Sequence, residues 1–221
     1  MGSKRTYGDA CGIARALDIL GERWALMIVR ELLLGPKRFT DLRTGLPHLS
    51  ADVLAQRLRH LEAAGVLTRR TLPPPTPAKI YELTASGRAL EPALVELGRW
   101  GGAYAPPPEG GCGMSLDSHI LSLQTLFDPE LAAGFSAQVQ LEIDDQSFRA
   151  VVEDGELEVE RGLAESPDAT VRTDPRTLID VLHGHRELTD VVAAGDLEIE
   201  GDEAIAARFL SLAPLPQPAP A

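Results

Sequence analysis

The sequence predicts an α+β protein of two domains. Three observations carry this. Helical periodicity dominates up to residue 105, with a short pair of strands inside it. Beyond residue 138, stretches of strict two-residue alternation take over. The charge also changes sign between the halves. Lys and Arg exceed Asp and Glu by 5 through residue 105 and fall short by 17 beyond it, which gives the net charge of −12. Such asymmetry predicts two domains with different partners, the first suited to phosphate and the second repelling it.

The elements follow in order. Ile13, Leu17 and Leu20 mark a first helix that stops near Gly21. Trp24, Ile28 and Leu32 mark a second, widened by Ala25 and Val29 and ended by Gly35-Pro36. Phe39 to Thr44 reads as a short third helix, broken by Gly45 and Pro47. The fourth, Ser50 to Gly65, organises the half. Leu54, Leu58 and Leu61 form its apolar stripe, Ser50 suits the N-cap, Asp52 the first turn and Gly65 the stop. Two strands come next, Val66–Leu72 and Lys79–Leu83, around the tip PPPTPA, whose prolines fix φ and cannot sit in a central strand. Thr84 then caps a helix carrying Leu90, Leu94, Leu97 and Trp100, with a kink expected at Pro92.

Helix, turn, helix and hairpin in that order predict a winged helix-turn-helix, with the Ser50 helix in the major groove. The outer face of that helix carries Ala51, Asp52, Ala55, Gln56 and Arg59, with Arg57 and His60 on its flanks. Gln reads adenine and Arg reads guanine through paired hydrogen bonds. An ordinary solvated helix face has the same composition, and it is the hairpin that favours the DNA reading. Lys37 and Arg38 before the helix pair, Ser50 at its cap, and Arg69, Arg70 and Lys79 on the wing are candidate backbone contacts.

The stretches CGIARALDILGERWALMIVRELLLGPKRFTDLR, LSADVLAQRLRHLEAAGVLTRR and YELTASGRALEPAL resemble the HxlR-type bacterial winged-helix regulators over residues 1–105. The resemblance implies DNA binding to a pseudo-palindromic operator as a homodimer, built partly from the first and last helices of the domain. The proline content of the wing departs from the family. Some members use a cysteine at the position of Cys11 as a redox or electrophile sensor. A helix N-terminus lowers a thiol's pKa, and a small buried hydrophobe is the competing reading.

Residues 106–114 are a linker by composition and 213–221 a disordered tail. Between them, Leu116, Ile120, Leu123 and Phe127 mark a helix. Strands follow at 139–143, 148–152, 156–160, 169–173 and 197–200, with Asp154-Gly155 as a hairpin turn. Pro175 opens a helix through Leu182, a shorter one covers Leu188 to Ala194, and Ala204 to Leu212 is the last.

The stretches DGELEVERG, SPDATVRTDPRTLIDVLHG and AAGDLEIEGDEAIAARFL resemble a sterol-carrier-protein-2-like (SCP2-like) domain over 115–212. That implies an α/β domain with a five-stranded, antiparallel-type sheet and an apolar tunnel. Leu123, Phe127, Phe135, Leu178, Val181, Leu182, Val191, Phe209 and Leu212 are its candidate lining, and they serve equally as an ordinary core. His183 and His185 lack a third metal ligand and read as surface residues.

No cofactor or metal is expected. The chain carries no GxSxG elbow, P-loop or complete GxGxxG, so no enzyme is predicted. The absence of a membrane-length apolar run and of a signal-peptide core in MGSKRTYGD predicts a soluble, cytoplasmic chain. Cys11 and Cys112 are too few for a disulfide framework. The expected function is a transcription regulator, repression being the preferred direction, whose operator affinity responds to a small apolar ligand in the second domain. The alternatives are a thiol-sensing regulator with a structural second domain and a lipid-carrier-like module tethered to a DNA-binding anchor.

Overall fold

The computed structural model describes residues 6–73, 78–104 and 113–214. Most of the proline tip, the linker segment with Cys112, and the tail from 215 onward lie outside them. The described residues form two compact units, 6–94 with 113–115, and 95–104 with 116–214.

In the first unit, α1 (Gly12–Leu20) and α2 (Ala25–Leu33) lead into a two-residue strand β1 (Lys37–Arg38) and α3 (Phe39–Gly45). Next come α4 (Ala51–Ala63), the strands β2 (Leu67–Thr71) and β3 (Lys79–Leu83), and α5 (Ala85–Arg88). Local chemistry sets the ends of α4. Ser50 Oγ accepts the Val53 N–H at 3.4 Å, and Gly65 takes φ +73° after the helix, a conformation costly for any residue with a Cβ. The three strands form an antiparallel sheet in the order β1-β3-β2. Its core joins Ile28, Val29 and Leu32 of α2 to Leu42 of α3 and Leu54, Leu58 and Leu61 of α4. Each such side chain contributes about 1.5–3 kcal/mol by leaving water.

One expectation needs correcting here, and one strand is new. The strand β1 was not foreseen, since two basic residues carry no strand signal of their own. Along α1, Leu20 packs against the core while Ile13 and Leu17 are exposed. The kink at Pro92 is absent. The chain breaks after α5, and α6 (Glu91–Tyr104) starts afresh with Pro92 in its first turn, where no N–H is needed.

The boundary between the units falls inside α6, after Leu94. Within the second unit, Gly98 of α6 lies close to α7 (Leu116–Leu126), where a Cβ would meet Thr125 Cγ2 at 2.7 Å. Arg99 donates to the Thr125 carbonyl at 3.2 Å, a cation on a helix C-terminus. Strands β4 (Ala137–Ile143), β5 (Gln146–Glu153), β6 (Glu156–Arg161) and β7 (Ala169–Thr173) follow, then α8 (Pro175–Leu182), α9 (Leu188–Ala194), β8 (Leu197–Gly201) and α10 (Glu203–Leu210). Asp174 and Asp202 cap α8 and α10 through their carboxylates.

The five strands are ordered β6-β5-β4-β7-β8. The sheet is mixed: β4 and β7 pair in parallel, and every other pair is antiparallel. This corrects the antiparallel expectation, and the reason is a crossover. After β6 the chain must return across β5 and β4, and residues 162–168 make that crossing over the polar side of β4. Gln140 Oε1 accepts the Ala164 N–H at 2.7 Å, and Gln140 is thereby buried. The opposite side, with Val139, Leu141, Phe148, Ala150 and Val171, is buried, and α7, α9 and α10 pack on the sheet.

Candidate nucleic-acid interface

The interface is built from the two helices α3 and α4 and the β2–β3 hairpin. Burying Leu54, Leu58 and Leu61 turns the opposite side of α4 outward. Asp52, Gln56 and Arg59 are exposed there, and Ala51 and Ala55 are half-buried at its edge. Among the described residues Arg59 has no ion-pair partner in contact. On the hairpin, Arg70 pairs with Glu82 at 3.0 Å, and Arg69 lies 4.0 Å from Glu62 of α4. Both arginines remain exposed, so these pairs are weak and salt-screened, and either guanidinium can exchange its carboxylate for a phosphate. Lys79 is exposed opposite Thr71. Arg38 is exposed, and its backbone N–H donates to Asp41 Oδ2.

Three of the predicted contact residues are engaged within the domain. Lys37 Nζ lies 2.7 Å from Glu31 Oε2, and its side chain is 14% exposed. A buried carboxylate, unreadable from periodicity, has taken this lysine from the surface. Arg57, also 14% exposed, donates to Glu22 Oε2 at 2.7 Å and to the Arg23 carbonyl at 3.2 Å. His60 Nε2 meets the Ile19 carbonyl at 3.0 Å. Sequence reasoning missed Arg43, exposed on α3. Its position beside buried Leu42, on the outer side of a short amphipathic helix, was the signal available.

Cys11 is exposed at the N-cap of α1, and its N–H donates to Asp9 Oδ1 at 2.8 Å. Its exposure overturns the buried-hydrophobe reading. In the second unit, Leu123, Phe127, Phe135, Leu178, Leu182, Val191, Phe209 and Leu212 are buried and Val181 is half-buried. The guanidinium of Arg208 covers Phe135 at 4.9 Å. The His183 and His185 rings meet edge-on at 5.8 Å, and burial, with His185 second, pushes the His183 pKa down. No group of three or more His, Cys, Asp or Glu among the described residues is arranged to hold a metal ion.

Residues 19–109 match the HxlR-like helix-turn-helix family model. An uncharacterised HTH-type transcriptional regulator of Bacillus subtilis, YvaP, is 44% identical over 94 residues, which is 42% of this chain and 86% of YvaP. The chain belongs to the HxlR-like helix-turn-helix family. The HTH-type transcriptional regulator YodB of B. subtilis is 38% identical over 98 residues, covering 44% of this chain and 87% of YodB. The reduced form of YodB aligns with 46% of this chain and all of its own, at 33% identity and a TM-score of 0.41. By its family membership this HxlR-like protein is a transcriptional regulator, and the family implies DNA binding. Residues 112–219 match the alkyl sulfatase C-terminal family model. No helix among the described residues is long and apolar enough to cross a membrane.

Proposed function

We propose that this HxlR-like protein binds a pseudo-palindromic operator as a dimer, with α4 in the major groove and the β2–β3 wing on the backbone. The observation that carries this is the outer face of α4, where Gln56 and Arg59 stand exposed on a helix whose other side is locked into the core. Arg38, Arg43, Arg69, Arg70 and Lys79 supply the phosphate contacts. Exposed Ile13 and Leu17 on α1, and Leu97, Trp100 and Tyr104 on α6, support dimerisation through these two helices. Footprinting of the full chain on duplexes selected from a random pool is expected to protect two half-sites about 34–36 Å apart, or a multiple of that. Folded protein that protects no duplex at low salt overturns the reading.

The second unit is the effector module in this reading, an SCP2-like domain whose helix-covered sheet face accepts a small apolar ligand. Exposed Cys11 favours a second reading, in which a thiol is the sensor. One titration separates them. Operator affinity of the full chain is measured with each apolar compound that raises its melting temperature in a screen of sterols and fatty amines, and again after diamide treatment. A shift with a compound supports the effector module. A shift with diamide that Cys11→Ser removes supports the thiol. No shift in either arm overturns both.

A further inference from the structure

On the reading that α4 enters the groove, we propose that Arg57 and His60 are positioning residues that lock α4 to the turn between α1 and α2. They thereby make the dimerisation helix set the angle of the DNA-reading helix.

The geometry of α4 divides it into three stripes. Leu54, Leu58 and Leu61 face the core, and Asp52, Gln56 and Arg59 face solvent. Val53, Arg57 and His60 form a third stripe with the same i, i+4, i+7 spacing. Val53 packs against the core, and the two polar members of the stripe reach one place. His60 Nε2 meets the carbonyl of Ile19, in the last turn of α1, where backbone acceptors have no partner inside their own helix. Arg57 Nε donates to the carbonyl of Arg23, and its Nη2 reaches the Glu22 carboxylate. Two side chains one turn apart on α4 thus hold the end of α1 and the turn that follows it.

That turn is itself constrained. Trp24 sits at φ +80°, a left-handed conformation uncommon for a bulky residue, and the Arg23 guanidinium lies over its ring at 5.2 Å. A strained turn persists only where its surroundings hold it. The Arg57 fork and the His60 ring are part of that hold. A single flexible point charge would fix distance only, whereas a guanidinium bonded to a carbonyl and a carboxylate fixes direction as well. Movement of α1, on dimer rearrangement or on chemistry at its N-terminus, is therefore passed to α4 through these bonds.

The test uses the full chain, a duplex selected by the wild-type protein from a random pool, and a random-sequence duplex as control. Arg57→Ala is expected to weaken binding to the selected duplex about tenfold, the scale of a lost charged hydrogen bond. Its salt slope is expected to stay unchanged, because no phosphate contact has gone. Glu22→Gln, a change at a half-exposed side chain on the α1–α2 turn, is expected to weaken specific binding in the same sense and to speed amide exchange across residues 19–24. A direct DNA contact by Arg57 predicts the reverse pattern. The slope then falls by about one, and Glu22→Gln leaves affinity unchanged or raises it by removing a negative charge. That pattern overturns the proposal. The variant Arg59→Ala keeps the two readings apart. If it too leaves specific binding intact, α4 is not the reading helix. If it relaxes specificity while Glu22→Gln has no effect, α4 reads DNA and the positioning role fails.

Discussion

Replacing Glu31 by alanine is expected to destabilise the first unit by about 3–5 kcal/mol, the cost of breaking a buried ion pair by removing one partner. Glu31 has no exposed surface in α2. Its carboxylate accepts from Lys37 Nζ at 2.7 Å, Arg30 Nη2 at 2.9 Å and Ser115 Oγ at 2.7 Å. Gly45 of α3 gives it room, since a Cβ there would stand 2.3 Å from Oε2. Alanine would remove the carboxylate from three hydrogen bonds at once and leave a cavity beside the two cations. Burial by itself pushes the Glu31 carboxyl up, but the Lys37 ammonium, the hydrogen bonds from Lys37 and Ser115, and Arg30 outweigh it. Together they hold the group below its ordinary value of 4.5. A carboxylate shifted down stabilises the folded state above its unfolded pKa and loses that contribution as pH falls through the lower, folded value. Urea midpoints of the wild type should therefore hold above about pH 4.5 and decline below it, and Glu31→Gln should weaken the protein at neutral pH and flatten the acid limb. Equal midpoints for wild type and Glu31→Gln at neutral pH would remove the buried ion pair from the account of this fold.

The second large effect concerns DNA, and it separates reading from holding. Arg59 projects from the solvent side of α4 with no ion-pair partner among the described residues, so nothing within the domain has to be broken before it bonds a base. Arg59→Ala is expected to lose about 1–3 kcal/mol of discrimination at one base position per half-site. Lys79 is exposed at the start of β3, where a flexible ammonium meets phosphate as a point charge. Lys79→Ala should weaken selected and random duplexes alike and lower the salt slope by about one. Salt titrations on both duplexes measure the two quantities together. The substitutions are informative as a pair: equal losses on both duplexes for Arg59→Ala would make Arg59 a backbone contact. The surrounding charge matters for the conditions. With −17 beyond residue 105, measurements at low salt bring the acidic half within range of the DNA, whereas near physiological salt its field fades over about 8 Å.

Local patterns in the sequence were enough to determine most of the elements. The helix α4 is written in one stripe of leucines, a serine cap and a glycine stop, all within sixteen residues of chain. The β5–β6 turn is written in Asp154-Gly155, both at positive φ as a tight hairpin requires. Periods of two and 3.6 residues report the nearest neighbours of each side chain, so they located most strands and helices and the outward face of Gln56 and Arg59. What they do not report is which distant residue comes to meet a side chain. The two-residue strand β1 exists only because β3, more than forty residues later, pairs with it. The β5–β4 turn at Asp144-Asp145 lacks the glycine that would have announced it.

Tertiary structure alone decided the parallel β4–β7 pair, because the route of residues 162–168 across the sheet depends on strand order. It also buried Gln140, a polar residue between the apolar Val139 and Leu141. The same limit governs the candidate interface. Lys37, Arg57 and His60 carry charge or polarity in the right stretch, and only the fold assigns them to Glu31, Glu22 and the Ile19 carbonyl. A charge read in sequence is a solvated charge. It becomes a strut or a DNA contact when the folded chain brings, or withholds, a partner from another element.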